Sequence, residues 1–266
     1  HKYSPVDGYL DLKKAICKKF KRDNNLNYDV DQIVVSTGAK QSIANVCMSL
    51  INKGDEVLIP TPYWVSYSAM VELAEGVPVF INPDEDSNYK ITAQQLDSAI
   101  TDKTKMLMLN SPNNPSGSVF TEQEYLEFSK VLSKYPNIII VSDEIYEHIN
   151  YGVKSVSFAS LPGMYDRTVS VNGISKAYAM TGWRIGYLGA PKVIAKACNK
   201  MQGQITSGAN CIAQRATIKA LEESPEKIQY MVDEFKIRRD FIIDLVTKIN
   251  GFNIKQPPMG LSLIHI

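Results

Sequence analysis

Ile138-Ile139-Ile140-Val141-Ser142-Asp143-Glu144-Ile145-Tyr146 sets an unbroken β-branched run directly against a pair of carboxylates. Four consecutive Ile and Val residues leave no polar face, so the run reads as a strand over 138–142 covered on both sides, as in a parallel sheet. Outward from it, short apolar runs alternate with amphipathic stretches. Further strands are expected over 32–36, 56–59, 77–81, 105–109, 168–171 and 184–188. Helices are expected over 10–22, where Leu12, Ile16 and Phe20 share a face, and over 39–52, where Ile43, Val46, Cys47 and Leu50 do. Others are expected over 65–74 and 93–100. Thr121 caps a further helix running to Ser133, with Glu124 completing a capping box. Beyond Pro191 the chain turns helical and ends in a long helix over 225–249. This alternation predicts an α/β three-layer sandwich around a mainly parallel central sheet.

The composition removes several functional classes. The 266 residues carry 29 basic and 28 acidic side chains and a formal net charge of +1, with no block of like charge. Neither a nucleic-acid groove nor a membrane-surface patch is therefore expected. The apolar runs are strand length, well short of the roughly 20 residues a membrane helix needs. Four cysteines stand at 17, 47, 198 and 211, without metal or redox spacing, and read as thiols in a reducing, cytoplasmic setting. Three scattered histidines give no metal site and no Ser-His-Asp triad.

In doubly covered sheets ligands bind beyond the carboxyl ends of the strands, so the chemistry is sought there. Thr37-Gly38-Ala39-Lys40 follows the first strand into a helix, where small residues and free N–H groups suit an anion; a plain tight turn is the other reading. Pro60-Thr61-Pro62-Tyr63-Trp64 offers an aromatic wall or loop filler. Asn110-Ser111-Pro112-Asn113-Asn114-Pro115-Ser116-Gly117 places Asn114 to aim a donor into the crevice. Asp143, past a wholly apolar strand, needs a partner; it is either a helix cap or a carboxylate held against a cationic ring nitrogen. Asn172-Gly173-Ile174-Ser175-Lys176 puts a lysine among small residues just past a strand, a setting that makes an amine nucleophilic if it is buried. Gly182-Trp183-Arg184-Ile185-Gly186 offers a bidentate grip on a phosphate. A lysine, a ring-nitrogen carboxylate, a phosphate cradle and a stacking aromatic are together what pyridoxal phosphate requires.

The stretch from Ser175 to Gly186, Ser-Lys-Ala-Tyr-Ala-Met-Thr-Gly-Trp-Arg-Ile-Gly, resembles the lysine signature of class I/II, or fold-type I, aminotransferases. The Asn110–Gly117 loop, Ser142-Asp143-Glu144-Ile145-Tyr146 and Pro62-Tyr63-Trp64-Val65-Ser66-Tyr67 fit the same family in the same order, over Tyr3 to about Gly260. The resemblance is nearest to the bacterial aspartate/prephenate aminotransferase branch. It implies the large domain of a fold-type I enzyme using pyridoxal 5′-phosphate, with Lys176 holding the cofactor as a Schiff base and moving the proton at the substrate α-carbon. It further implies catalytic roles for Asp143, at the pyridine nitrogen, and Tyr146, which with Asn114 meets the ring hydroxyl. Trp64 stacks on the ring. Gly38, Ala39, Lys40, Ser175 and Arg184 gather at the cofactor, and Tyr3 reaches the phosphate of a neighbouring subunit in a homodimer. Lys40, Trp64 and Asn114 also face substrate. A lysine at position 40 suits a distal carboxylate, hence aspartate or glutamate exchanging with a 2-oxo acid; a solvated lysine at a helix start is the competing reading.

Three departures accompany the resemblance. Gly173 stands three before Lys176, where some aminotransferases carry a phosphate-binding serine. The family's N-terminal segment and its C-terminal arginine for the substrate α-carboxylate both fall outside the chain, which is thus expected to be cut at both ends. Residues 1–240 are expected to form the cofactor-binding domain and 241–260 the start of a small domain. Leu261-Ser262-Leu263-Ile264-His265-Ile266 back-translates to a transposase sequencing adapter and is expected to be read-through. The alternatives are an aromatic, alanine or kynurenine aminotransferase, another fold-type I enzyme, or the cofactor-sensing domain of a transcription regulator.

Overall fold

The computed structural model of the chain describes residues 3–254 and 256–261. Of the expected read-through at 261–266, residues 262–266 lie outside them, while Leu261 is described and donates its N–H to the Ile149 carbonyl at 3.3 Å.

Seven strands form one sheet: β1 (Ile33–Ser36), β2 (Glu56–Pro60), β3 (Val77–Ile81), β4 (Thr104–Asn110), β5 (Ile139–Asp143), β6 (Thr168–Gly173) and β7 (Gly186–Gly189). Their spatial order is β1-β7-β6-β5-β4-β2-β3. All neighbouring pairs are parallel except β7, which runs antiparallel to both β1 and β6. The central strands are buried through nearly their whole length, with Leu107, Ile140, Val169 and Val171 fully enclosed. This is what runs of β-branched and aliphatic residues without alternation require.

The helices are α1 (Leu10–Asn24), α2 (Ala39–Leu50), α3 (Ser66–Leu73), α4 (Ala93–Ala99), α5 (Glu122–Leu132), α6 (Lys192–Ile205), α7 (Cys211–Glu222) and α8 (Gln229–Val246). One apolar cluster joins α2, α3 and α6 to the sheet through Ile43, Val46, Val71 and Ile194. A second joins α4 and α5 through Leu96, Tyr125, Phe128 and Leu132. The sheet is therefore the middle of three layers. A third cluster packs α1 and α7 against β1 and β7 through Leu12, Ile16, Phe20, Tyr187 and Ala213. The Thr121 capping box forms as expected, its hydroxyl accepting from the Glu124 N–H and the Glu124 side chain from the Thr121 N–H.

Two boundaries differ from expectation. The strand expected from Arg184 begins at Gly186, because Arg184 sits in the left-handed region at φ 56° after a 3-10 turn, Thr181–Trp183. The helix expected from Pro225 opens as a 3-10 turn, Pro225–Ile228, before α8. The expected domain boundary at 240/241 falls inside α8. Past α8 the chain returns to the strand ends: Gly260 donates to the Gly117 carbonyl at 2.8 Å, and Tyr151 to that of Met259 at 2.7 Å. Among the described residues no helix is long and apolar enough to cross a membrane.

Candidate active site

The register sets the site. Asn110 at the end of β4 pairs with Asp143 at the end of β5, and Asp143 with Val171 near the end of β6. Gly186 opens β7 opposite both Ser36, the last residue of β1, and Gly173, the last of β6. Because β7 is antiparallel, its start lies at the edge where the parallel strands finish. Arg184, placed before a strand, thereby joins residues placed after strands.

These ends surround an open cleft of about 180 Å³, lined by Ala39, Lys40, Trp64, Asn114, Asp143, Tyr146, Ser175, Lys176 and Arg184 among others. Nine of the residues named from sequence thus meet in one place. Gly38 stands one residue outside the lining, as the N-cap of α2. Tyr3 is fully exposed and does not line the cleft.

Asp143 is 5% exposed, and its two carboxylate oxygens are each addressed by a donor. The Tyr67 hydroxyl donates to Oδ2 at 2.6 Å and the Ile145 N–H to Oδ1 at 3.3 Å. Burial raises the Asp143 carboxyl to about 6, opposed by these two bonds and by the charge of Lys176. It is an anion kept short of compensation. Burial also pushes the Tyr146 phenol up to about 12, helped by Asp143 and opposed by a hydrogen bond from Asn114. The half-buried Lys176 places Nζ 5.6 Å from the Tyr146 ring centre. The Lys40 ammonium stands 4.8 Å from the centre of the Trp64 ring, which also packs edge-on against Tyr67.

The opposite end of the cleft is built for an anion. Gly38 caps α2 at φ 83°, and Ala39 and Lys40 carry the first amides of the helix, where N–H groups have no intrahelical acceptor. A Cβ on Gly38 would run into the Arg184 guanidinium. The exposed Arg184 side chain is steadied by a 2.8 Å bond from its Nη1 to the Thr181 carbonyl. Gly173 is closely walled: a Cβ there would stand 2.9 Å from the Ile185 carbonyl oxygen and 3.0 Å from the Gly186 Cα. A serine at that position would force β6 and β7 apart, so the departure from the family pattern has a packing cause.

Sequence reasoning gave no role to Tyr67 or Asn110. Asn110 donates to the Asp143 carbonyl at 2.9 Å and accepts from the Asn114 N–H at 2.7 Å, so it fixes where Asn114 points. Asn113 turns back into its own loop, accepting from Ser116. Of the amides in this stretch, Asn110 and Asn114 line the cleft, and Asn110 is already engaged by its own bonds. The position of Asn110 at the last residue of an apolar strand was the available signal; Tyr67 carried none beyond its place in the aromatic motif.

The sequence profile of the family described as aminotransferase class I and II matches residues 1–265. The bifunctional aspartate aminotransferase and glutamate/aspartate-prephenate aminotransferase of Petunia hybrida is 45% identical over 260 residues, covering 96% of this chain and 54% of the relative. The crystal structure of the aspartate aminotransferase from Rhizobium meliloti superposes with a TM-score of 0.95 at 44% identity, covering 97% of this chain and 65% of that one. An aspartate aminotransferase of Thermus thermophilus with maleate superposes at 0.91 and 35% identity, covering 97% and 67%. The chain spans between about half and two thirds of the length of these relatives.

Proposed function

The chain belongs to the aminotransferase class I and II family, and on that premise we propose that its cleft binds pyridoxal 5′-phosphate and serves transamination between a dicarboxylic amino acid, aspartate or glutamate, and a 2-oxo acid. One observation carries the proposal. Asp143, buried and undercompensated, shares a cleft with the Lys176 amine and, beyond it, with helix amides and a guanidinium. A buried anion at one end and an anion cradle at the other fit a ligand with a cationic ring nitrogen and a phosphate.

Each group then has its task. Asp143 holds its negative charge against the ring nitrogen, and the Tyr67 bond keeps that carboxylate ionised and aimed. The α2 amides and Arg184 hold the phosphate, and Ser175 adds a hydroxyl to the wall. Trp64 covers one face of the ring. Asn114 and Tyr146 hydrogen-bond its hydroxyl. When bound, the cofactor supplies an electron sink for the pair released at the substrate α-carbon. Lys176 would hold the cofactor through its amine, and the same amine would take and return the proton at that carbon. Lys40 would offer its ammonium to the distal carboxylate; that a Thermus thermophilus relative is described with maleate, a dicarboxylate, supports a dicarboxylic substrate.

The whole protein would work as a homodimer in the cytoplasm, Tyr3 reaching the partner subunit's phosphate. Residues 1–240 would form the cofactor-binding domain and 241–260 open the small domain, with α8 continuous between them. Assaying the protein at its full genomic length against a panel of amino donors tests this. Aspartate and glutamate are expected to turn over fastest; turnover of aromatic donors or alanine in preference, or of no donor, would overturn the substrate reading.

A further inference from the structure

Beyond the cleft, the turn that carries Asp143 and Tyr146 is anchored from behind by a buried polar network. Residues three apart on this turn face the same way. Asp143 and Tyr146 line the cleft. Glu144 and Glu147 are buried on the other side, at 3% and 5% exposure. Glu144 accepts from the Ser142 and Ser157 hydroxyls at 2.8 and 2.7 Å and from the Phe158 N–H at 3.2 Å.

Glu147 is held from two other elements. The Lys19 ammonium of α1 pairs with its Oε1, Asn24 at the end of α1 donates to Oε2 at 2.6 Å, and Asn172 of β6 donates to Oε1 at 2.7 Å. Lys19 also donates to the Asn24 side-chain Oδ1 at 2.7 Å, and His148 stands 3.3 Å from Glu147 Oε1. Asn172 lies one residue from the end of β6, four before Lys176.

A buried ion pair is weakly stabilising at best, since apolar side chains of similar size commonly do as well. What it supplies is one allowed arrangement of the elements it joins. We infer that Glu147, gripped by Lys19, Asn24 and Asn172, is a positioning residue that fixes Asp143 and Tyr146 relative to the strand delivering Lys176. It does not line the cleft. It locks the distance between the carboxylate end and the amine of the cleft, and the inference rests on the cofactor reading above.

The test uses the full-length protein titrated with pyridoxal 5′-phosphate and followed by its visible absorption band. Asn172→Leu removes the link from β6 while leaving the Lys19–Glu147 pair. Lys19→Met combined with Glu147→Leu removes both members of the pair, while Asp23, which Lys19 faces at 3.8 Å, keeps its Arg22 partner at 2.6 Å, and either variant suffices if the other fails to fold. Below the unfolding temperature of the variant, the Kd for the cofactor is expected to rise roughly tenfold or more, because supporting contacts set affinity on that scale. The pH midpoint of the band is expected to move by about half a unit or more as the groups around the amine shift. A variant with altered thermal stability but a Kd within about twofold and an unmoved midpoint would overturn the inference, reducing the network to scaffolding. Absence of any band from the unaltered protein would instead overturn the cofactor reading, and this inference with it.

Discussion

Replacing Asp143 by asparagine should stabilise the cofactor-free protein above neutral pH while weakening its hold on pyridoxal 5′-phosphate. Burial, opposed by the Tyr67 hydroxyl, the Ile145 N–H and the charge of Lys176, lifts the Asp143 carboxyl from 3.8 to about 6. A carboxyl that keeps its proton more tightly folded than unfolded makes stability fall as pH rises: the unfolded chain ionises first, and the folded chain resists until about 6. The penalty is therefore absent below about pH 4 and complete above about pH 7, and about two pH units are worth ~3 kcal/mol. Asparagine keeps the shape but has one acceptor oxygen for two donors, Tyr67 at 2.6 Å and Ile145 at 3.3 Å. Leaving one donor unmet gives back ~1–2 kcal/mol. The variant should be ~1–2 kcal/mol more stable at about pH 8 and equal or less stable at about pH 4, in urea unfolding of cofactor-free protein. A wild type more stable at the higher pH, or a difference that does not change with pH, would refute the reasoning.

Other expectations follow from the same geometry. Gly38→Ala places a side chain against the Arg184 guanidinium on a residue at φ 83°, so cofactor affinity should drop by ~10-fold or more; titration by absorbance checks this. Lys40→Met should raise KM for aspartate by ~10-fold with a smaller change for donors lacking a distal carboxylate, a split visible in steady-state kinetics. Leu107→Ala removes a fully buried side chain of β4 and should cost about 2–5 kcal/mol in denaturant unfolding without changing the chemistry of the cleft.

Much of the fold was legible because most of the strands are built on short apolar runs, such as Ile139-Ile140-Val141 in β5 and Met106-Leu107-Met108-Leu109 in β4. Direction was not. The reversal of β7 is invisible in Gly186-Tyr187-Leu188-Gly189 itself and follows from the connection before it, residues 174–185, which holds no helix long enough for a crossover. Residues at or just past strand ends, such as Asp143 and Lys176, could be brought to this edge from local order alone. Tyr67 and Asn110 act on Asp143 across 76 and 33 residues of chain, and Glu147 meets Lys19 across 128. Such pairings are created by strand order and register, which no single stretch of sequence carries. Arg184 shows the same limit: its position next to α2 depends on an antiparallel strand and a left-handed residue, neither written in Gly182-Trp183-Arg184.

Among the described residues two amines line the cleft, Lys176 and Lys40, and the chemistry assigned to it depends on which one holds the cofactor. Incubating the protein with pyridoxal 5′-phosphate, reducing with borohydride and mapping the modified peptide by mass spectrometry decides between them. A stoichiometric label on Lys176, abolished in Lys176→Ala, is the predicted result; a label on Lys40, or one scattered over exposed lysines and unaffected by Lys176→Ala, would contradict it.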